Sequence, residues 1–151
     1  MLPKWHIVIG AIFSVLVTYL LGLSLTNGVI IFLSSILLDF DHYLYYIFKK
    51  RDLSLKNAYS WFVERKRKWF SLKYEERKRY KRPILIFHGI EFWLVLGLLC
   101  LVNKLFLWIL LGIAIHMIFD WIELFYLKEP LYNKFSQMYT LIKNKKKEKL
   151  G

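Results

Sequence analysis

The sequence predicts an all-α polytopic membrane protein: a four-helix transmembrane bundle built from two helical hairpins, with interfacial amphipathic segments. Three observations predict it. Apolar residues, 57% of the chain, are gathered into long blocks. Within each pair of blocks the connection is only two residues long, and the Lys and Arg residues cluster outside the blocks. A helix needs about 20 apolar residues to cross the hydrocarbon of a bilayer, and connections this short force antiparallel neighbours. The whole of residues 1–151 is read as one membrane domain.

The predicted spans are residues 6–25, 28–48, 84–102 and 105–127. Lys4 is the one charged side chain ahead of the first block, which is longer than a signal-peptide core and is followed by no small-residue cleavage site, so it is expected to be retained. Thr26 and Asn27 join the first pair, and Asn103 and Lys104 the second. Pro83 stands where a helix start tolerates the missing N–H, and Pro130 follows the last span as a stop.

Charge orients the hairpins. The loop 49–82 carries 14 Lys and Arg against Asp52, Glu64, Glu75 and Glu76, and the tail from Lys128 carries 7 against Glu129 and Glu148. The two short turns hold Lys104 alone. By the positive-inside rule the termini and the loop face the cytoplasm across the inner membrane. The net charge of +12 is accordingly assigned to topology and to anionic membrane lipids, not to nucleic acid. The lone Cys100 excludes an intrachain disulfide and argues against a thiolate metal site.

Neither basic segment is uniformly polar. Trp61, Phe62, Trp69, Phe70 and Tyr74 interleave with Arg65, Lys66, Arg67 and Lys68 in the loop. In the tail, Leu131, Tyr132, Phe135, Met138, Tyr139 and Ile142 recur at helical spacing. Both are expected to lie on the membrane surface, although a solvated connector explains the loop as well.

The chemistry is carried by ionisable residues inside the spans: His6, Asp39, Asp41, His42, His88, Glu91, His116, Asp120 and Glu123. A charge at mid-bilayer costs roughly 2.5 to 3.5 kcal/mol on insertion scales, so this concentration demands a reason. Although neighbouring spans run in opposite directions, each places these groups in its cytoplasmic half. Helical rotation puts His116 with Asp120, His88 with Glu91, and Asp39 with His42 on common stripes. Asp41 falls about 160° from Asp39 on a regular helix, which predicts either a supporting role or a local break. Imidazoles and carboxylates converging from several helices suit a divalent cation, zinc first. His6 and Glu123 also fit the interface, and a set of helix-to-helix hydrogen bonds would use the same residue types.

The stretch from Ser35 to His42 (SILLDFDH), the HGIE segment from His88 to Glu91 and the GIAIHMIFD segment from Gly112 to Asp120, preceded by His6, together resemble the YdjM-type inner-membrane metal-dependent hydrolases. The late His-x3-Asp is also similar to a metal-binding helix of the zinc-dependent phospholipase C and single-strand nuclease group. Leu38 stands where the YdjM-type family usually has proline, and Pro83 where it commonly has an additional histidine. The resemblance implies His6, Asp39, Asp41, His42, His88, His116 and Asp120 as metal ligands. Helix geometry adds Glu91, and either Glu91 or Asp41 is the expected general base.

The expected function is hydrolysis of an ester, a phosphoester first, carried by a lipid-like, membrane-associated substrate. Metal or proton permeation is the alternative, but the polar groups leave the other half of the spans almost bare, which fits a one-sided pocket better than a pore. A purely structural protein with His-Asp helix locks is the third reading.

Overall fold

The computed structural model describes residues 3–149, with side chains from residue 5 onward. Among the described residues every regular element is helical, apart from a single bridge between Tyr80 and Glu148.

Helix α1 (Pro3–Leu20) ends in a Schellman turn: Gly22 takes φ +58°, Leu23 N–H donates to the Thr18 carbonyl at 2.9 Å and Gly22 N–H to that of Tyr19 at 3.3 Å. Ser24 then caps α2 (Leu25–Leu37) by accepting from Asn27 N–H. The hairpin turn therefore lies at residues 21–24 and not at Thr26 and Asn27. Glycine supplies the left-handed residue and serine the cap, so each lies where its chemistry is needed.

The second predicted span is divided. After α2 the chain makes a two-residue turn at Leu38 and Asp39 and resumes as α3 (Phe40–Lys50). Ser34 and Ser35 hydroxyls bond back to the carbonyls of Ile30 and Phe32, each at 2.7 Å, a pattern that bends helices. More directly, His116 Nδ1 takes the Ser35 carbonyl at 2.6 Å, the acceptor a regular helix would offer to Asp39 N–H. Asp39 N–H turns instead to the Ile36 carbonyl at 3.2 Å. A side chain inserted in the helical ladder is a sufficient cause of a kink.

The loop folds as α4 (Leu55–Ser71), capped by Ser54, and the short α5 (Tyr74–Arg77). The third predicted span is helical only as α6 (Ile90–Cys100). Ahead of it the chain is extended, with one 3₁₀ turn at Ile86–His88. Side chains satisfy this irregular backbone: Leu85 N–H donates to Gln137 Oε1 at 2.8 Å and Phe87 N–H to Asp41 Oδ2 at 3.1 Å. The expected helical stripe of His88 and Glu91 is thus not formed, because His88 precedes the helix.

Helix α7 (Leu105–Tyr126) begins where the sequence places it, with Asn103 Oδ1 accepting from Leu105 N–H. It packs mainly on α2, where a Cβ on Gly112 would lie 2.3 Å from the Ile31 carbonyl oxygen, so only glycine permits this approach. Leu38, Leu96, Ile113 and Met117 form the buried core between the turn, α6 and α7.

The tail forms α8 (Tyr132–Phe135) and α9 (Gln137–Asn144). It docks on the protein by its polar side. Asn144 exchanges two 2.9 Å hydrogen bonds with the backbone of Arg82, Gln137 reaches Leu85, and Thr140 is fully buried. Its apolar residues Leu131, Phe135, Met138, Leu141 and Ile142 face outward.

Two stretches are long and apolar enough to cross a membrane: Leu25–Lys50, taken through its break, and Leu105–Tyr126. The apolar parts of α1 and α6 are shorter.

Candidate metal centre

All four histidines of the chain converge with two aspartates, although they come from four separate segments. Helix α1 supplies His6. The turn after α2 supplies Asp39 and α3 His42; the 3₁₀ turn supplies His88; α7 supplies His116 and, one turn on, Asp120. Three overlapping groups have ligand atoms within 4.8 Å of one another: His6 with Asp39 and His116, Asp39 with His42 and His88, and His88 with His116 and Asp120. Random placement of polar residues in an apolar bundle would not bring every imidazole to one point.

The ring nitrogens face carboxylates. His116 Nε2 lies 3.2 Å from Asp120 Oδ2 and 3.6 Å from Asp39 Oδ1; His88 Nε2 lies 3.3 Å and 3.9 Å from the same two oxygens. His6 Nε2 is 3.5 Å from Asp120 Oδ1, and its ring stacks on that of His116 at 3.9 Å between centroids. His42 Nε2 is 3.6 Å from Asp39 Oδ1. The Nε2 atoms of His6, His88 and His116 are nevertheless buried without a hydrogen bond of acceptable geometry.

The tautomers follow from the opposite ring atoms. A carbonyl can only accept, so His116 Nδ1 carries the proton given to Ser35. His88 Nδ1 likewise faces Asp41 Oδ2 at 3.0 Å and donates to it when that carboxylate is ionised. In its neutral form each ring turns an Nε2 lone pair toward carboxylate oxygens, and in its cationic form it donates to them. Lone pairs and anions converging in a dry interior need either extra protons or a cation among them. The donor set of imidazole nitrogens and carboxylate oxygens fits a borderline divalent ion such as zinc and equally fits harder ions, so it selects the charge and not the element.

Asp41 is brought to the site, but underneath it. Its Oδ2 holds His88 through Nδ1 and the Phe87 amide, and Asp41 is absent from the three groups of converging ligand atoms. Glu91 is not brought to the site. Its carboxylate accepts from Ser136 Oγ at 2.6 Å and from the amides of Gln137 and Met138, each at 3.1 Å, thereby satisfying the first N–H groups of α9. Glu123, at the end of α7, pairs with Lys66 of α4 at 3.0 Å.

Sequence reasoning missed Lys134. From α8 its ammonium reaches back to Asp120 Oδ2 at 2.5 Å, placing a tail residue inside the cluster. Burial alone would lower its pKa, but attraction to Asp120 and Asp39 and the bond to Asp120 outweigh it and hold the lysine above its ordinary range. The only sequence signal was its place in the amphipathic tail.

A second polar knot joins α4, α5 and the chain after α7. Glu129 accepts from Trp69 Nε1 at 2.9 Å and pairs with Arg77 at 2.7 Å and Arg82 at 2.6 Å, with the Arg82 guanidinium over the Trp69 ring. Burial would raise the Glu129 pKa, yet these donors and charges hold it below the ordinary range.

Comparison with protein-family models, with curated proteins and with solved structures found no match to this chain.

Proposed function

We propose that the cluster holds a divalent cation and that the protein is a membrane-embedded, metal-dependent hydrolase of an ester, a phosphoester first. The observation that carries the reading is the convergence of the buried Nε2 atoms of His6, His88 and His116 on the carboxylates of Asp39 and Asp120. The resemblance of the His6, Ser35 to His42 and Gly112 to Asp120 segments to YdjM-type hydrolases supports it independently.

An ion held there would supply a Lewis acid for an ester oxygen and would lower the pKa of a bound water. The remaining work falls to the chain. Asp41 fixes the His88 ring through Nδ1, the Ser35 carbonyl fixes the His116 ring, and Asp39, one-fifth exposed, is the carboxylate best placed to take a proton from water. In the balanced reaction the oxygen of water forms a new bond to phosphorus, the bond from phosphorus to the alcohol oxygen breaks, and the alcohol leaves with a proton.

The membrane reading is four spans with both termini and α4 on the cytoplasmic side. The α7 helix is about 33 Å long and the stretch through α2 and α3 about 39 Å, against a hydrocarbon core of about 30 Å. Helix α6 reaches only about 16 Å, so the third span of this reading takes in the non-helical residues before it. Irregular backbone at that depth is tolerable because Gln137 and Asp41 satisfy its N–H groups. The outward apolar faces of α1 and of the tail suit contact with lipid.

Elemental analysis of the purified protein beside His116→Ala tests the reading. Bound divalent metal in the parent and none in the variant is expected. Metal-free parent protein after purification in metal-replete buffer would favour the structural alternative, in which Lys134 is the cation that locks Asp120.

A further inference from the structure

Between α4 and the C-terminal end of α7 lies a cavity of about 480 Å³, a volume typical of ligand sites. Ala58, Phe62 and Val63 of α4, Leu124 of α7 and Leu127 just beyond it give it apolar walls. Asp39, His42 and Lys134 line the same cavity, so it is continuous with the histidine and aspartate cluster. Its charged lining is unbalanced. Arg65, Lys66, Lys81, Arg82 and Lys134 face it against the carboxylates of Asp39, Glu123 and Glu129. An apolar chamber with a cationic surplus, joined to polar ligands at one edge, matches a molecule that is hydrocarbon along most of its length and anionic at one end.

We infer that this cavity binds a lipid-like phosphoester, with its hydrocarbon chain between α4 and α7 and its phosphate at Lys134 beside Asp39 and His42. The inference rests on the hydrolase reading for what happens to the phosphate, but the binding does not depend on turnover. Lys134 is suited to the task because Asp120 holds its ammonium where the cavity meets the cluster. Its ammonium carries three donors, so a phosphate oxygen can join Asp120 around the same nitrogen. Lys66 and Trp69 of α4 are tied to Glu123 and Glu129 at the opposite wall, which holds α4 over the cavity. Helix α4 is thereby the cover of a lipid site.

Native mass spectrometry of the full chain in neutral maltoside micelles tests this, with hexadecyl phosphate, hexadecanol and inorganic phosphate as probes. One hexadecyl phosphate should be retained per chain, with the other two held far more weakly. Ala58→Trp and Val63→Trp fill the chamber without touching the cluster, and each should weaken retention about tenfold or more. Lys134→Met should weaken it about ten- to a hundredfold, the worth of a bond to a charged group. Val63 is an exposed position, so its variant carries the test even if Ala58→Trp does not fold.

Unchanged retention in Val63→Trp, equal retention of hexadecanol, or equal affinity for inorganic phosphate would each overturn the inference. Failure of the two readings is distinguishable. Chain binding without any metal or hydrolysis rejects the hydrolase and leaves the lipid site. Metal-dependent hydrolysis of a soluble aryl phosphate without retention of hexadecyl phosphate does the reverse.

Discussion

The Nδ1 atom of His116 lies 2.6 Å from the carbonyl oxygen of Ser35, the acceptor that a regular helix would give to the amide of Asp39. One contact therefore fixes an imidazole and frees a carboxylate at the same time. The α2 ladder ends there, and Asp39 swings into the cluster as Asp41 passes beneath it to His88.

His116→Ala should accordingly damage the site twice, by removing a ligand and by letting Asp39 N–H recover the Ser35 carbonyl. Metal affinity should fall more than about 100-fold, beyond the loss expected for a supporting residue. Amide hydrogen exchange at Asp39 should slow in the same variant. Faster exchange there would show that the break has another cause.

Asp41→Asn should leave the ligand count intact while weakening metal affinity about 10- to 100-fold, because the His88 ring loses its charged acceptor. Titration with a competing chelator measures it. Complete loss of metal would make Asp41 a direct ligand.

Glu91→Ala should leave metal stoichiometry unchanged and loosen α9 by about 1 to 2 kcal/mol, the worth of a helix cap. Hydrogen exchange across residues 137–144 reads the loosening. A variant that keeps its metal and α9 protection but loses hydrolysis would return Glu91 to the role of general base.

Glu129 makes stability depend on acid. Its folded pKa is depressed below the ordinary 4.5, so its contribution is fully present above that value. It is lost as pH falls through the lower folded value, when protonation releases Arg77, Arg82 and Trp69. Glu129→Gln should cost about 3 kcal/mol at neutral pH and flatten the thermal melting profile below pH 4.5. An acid limb of equal slope in parent and variant would assign it to other carboxylates.

Cysteine labelling in a Cys100→Ser background tests the topology. Lys66→Cys should react from the cytoplasmic side and Thr26→Cys from the opposite side, given 14 cations in the loop against Lys104 in the turns. Reaction of both from one side would dismiss the four-span arrangement.

The sequence by itself determined what depends on neighbours along the chain. It placed α7 from Leu105 onward and put His116 with Asp120 on one face, because a four-residue spacing is a helical turn. It picked out His6, Asp39, His42 and His88, because imidazole and carboxylate inside apolar blocks are costly wherever the blocks pack. Gly22 and Ser24 carried the true position of the first turn in plain view. Tertiary structure alone decided the rest. The break at Asp39 requires a histidine 81 residues beyond Ser35, the non-helical run to His88 requires Gln137 and Asp41, and Glu91 is taken by an α9 amide terminus. Lys134 enters the cluster because the tail docks by its polar side, a choice that its amphipathic pattern leaves open. Each of these is a hydrogen bond or ion pair between distant segments, and periodicity records only the face a residue shares with its own helix, not the partner that meets it there.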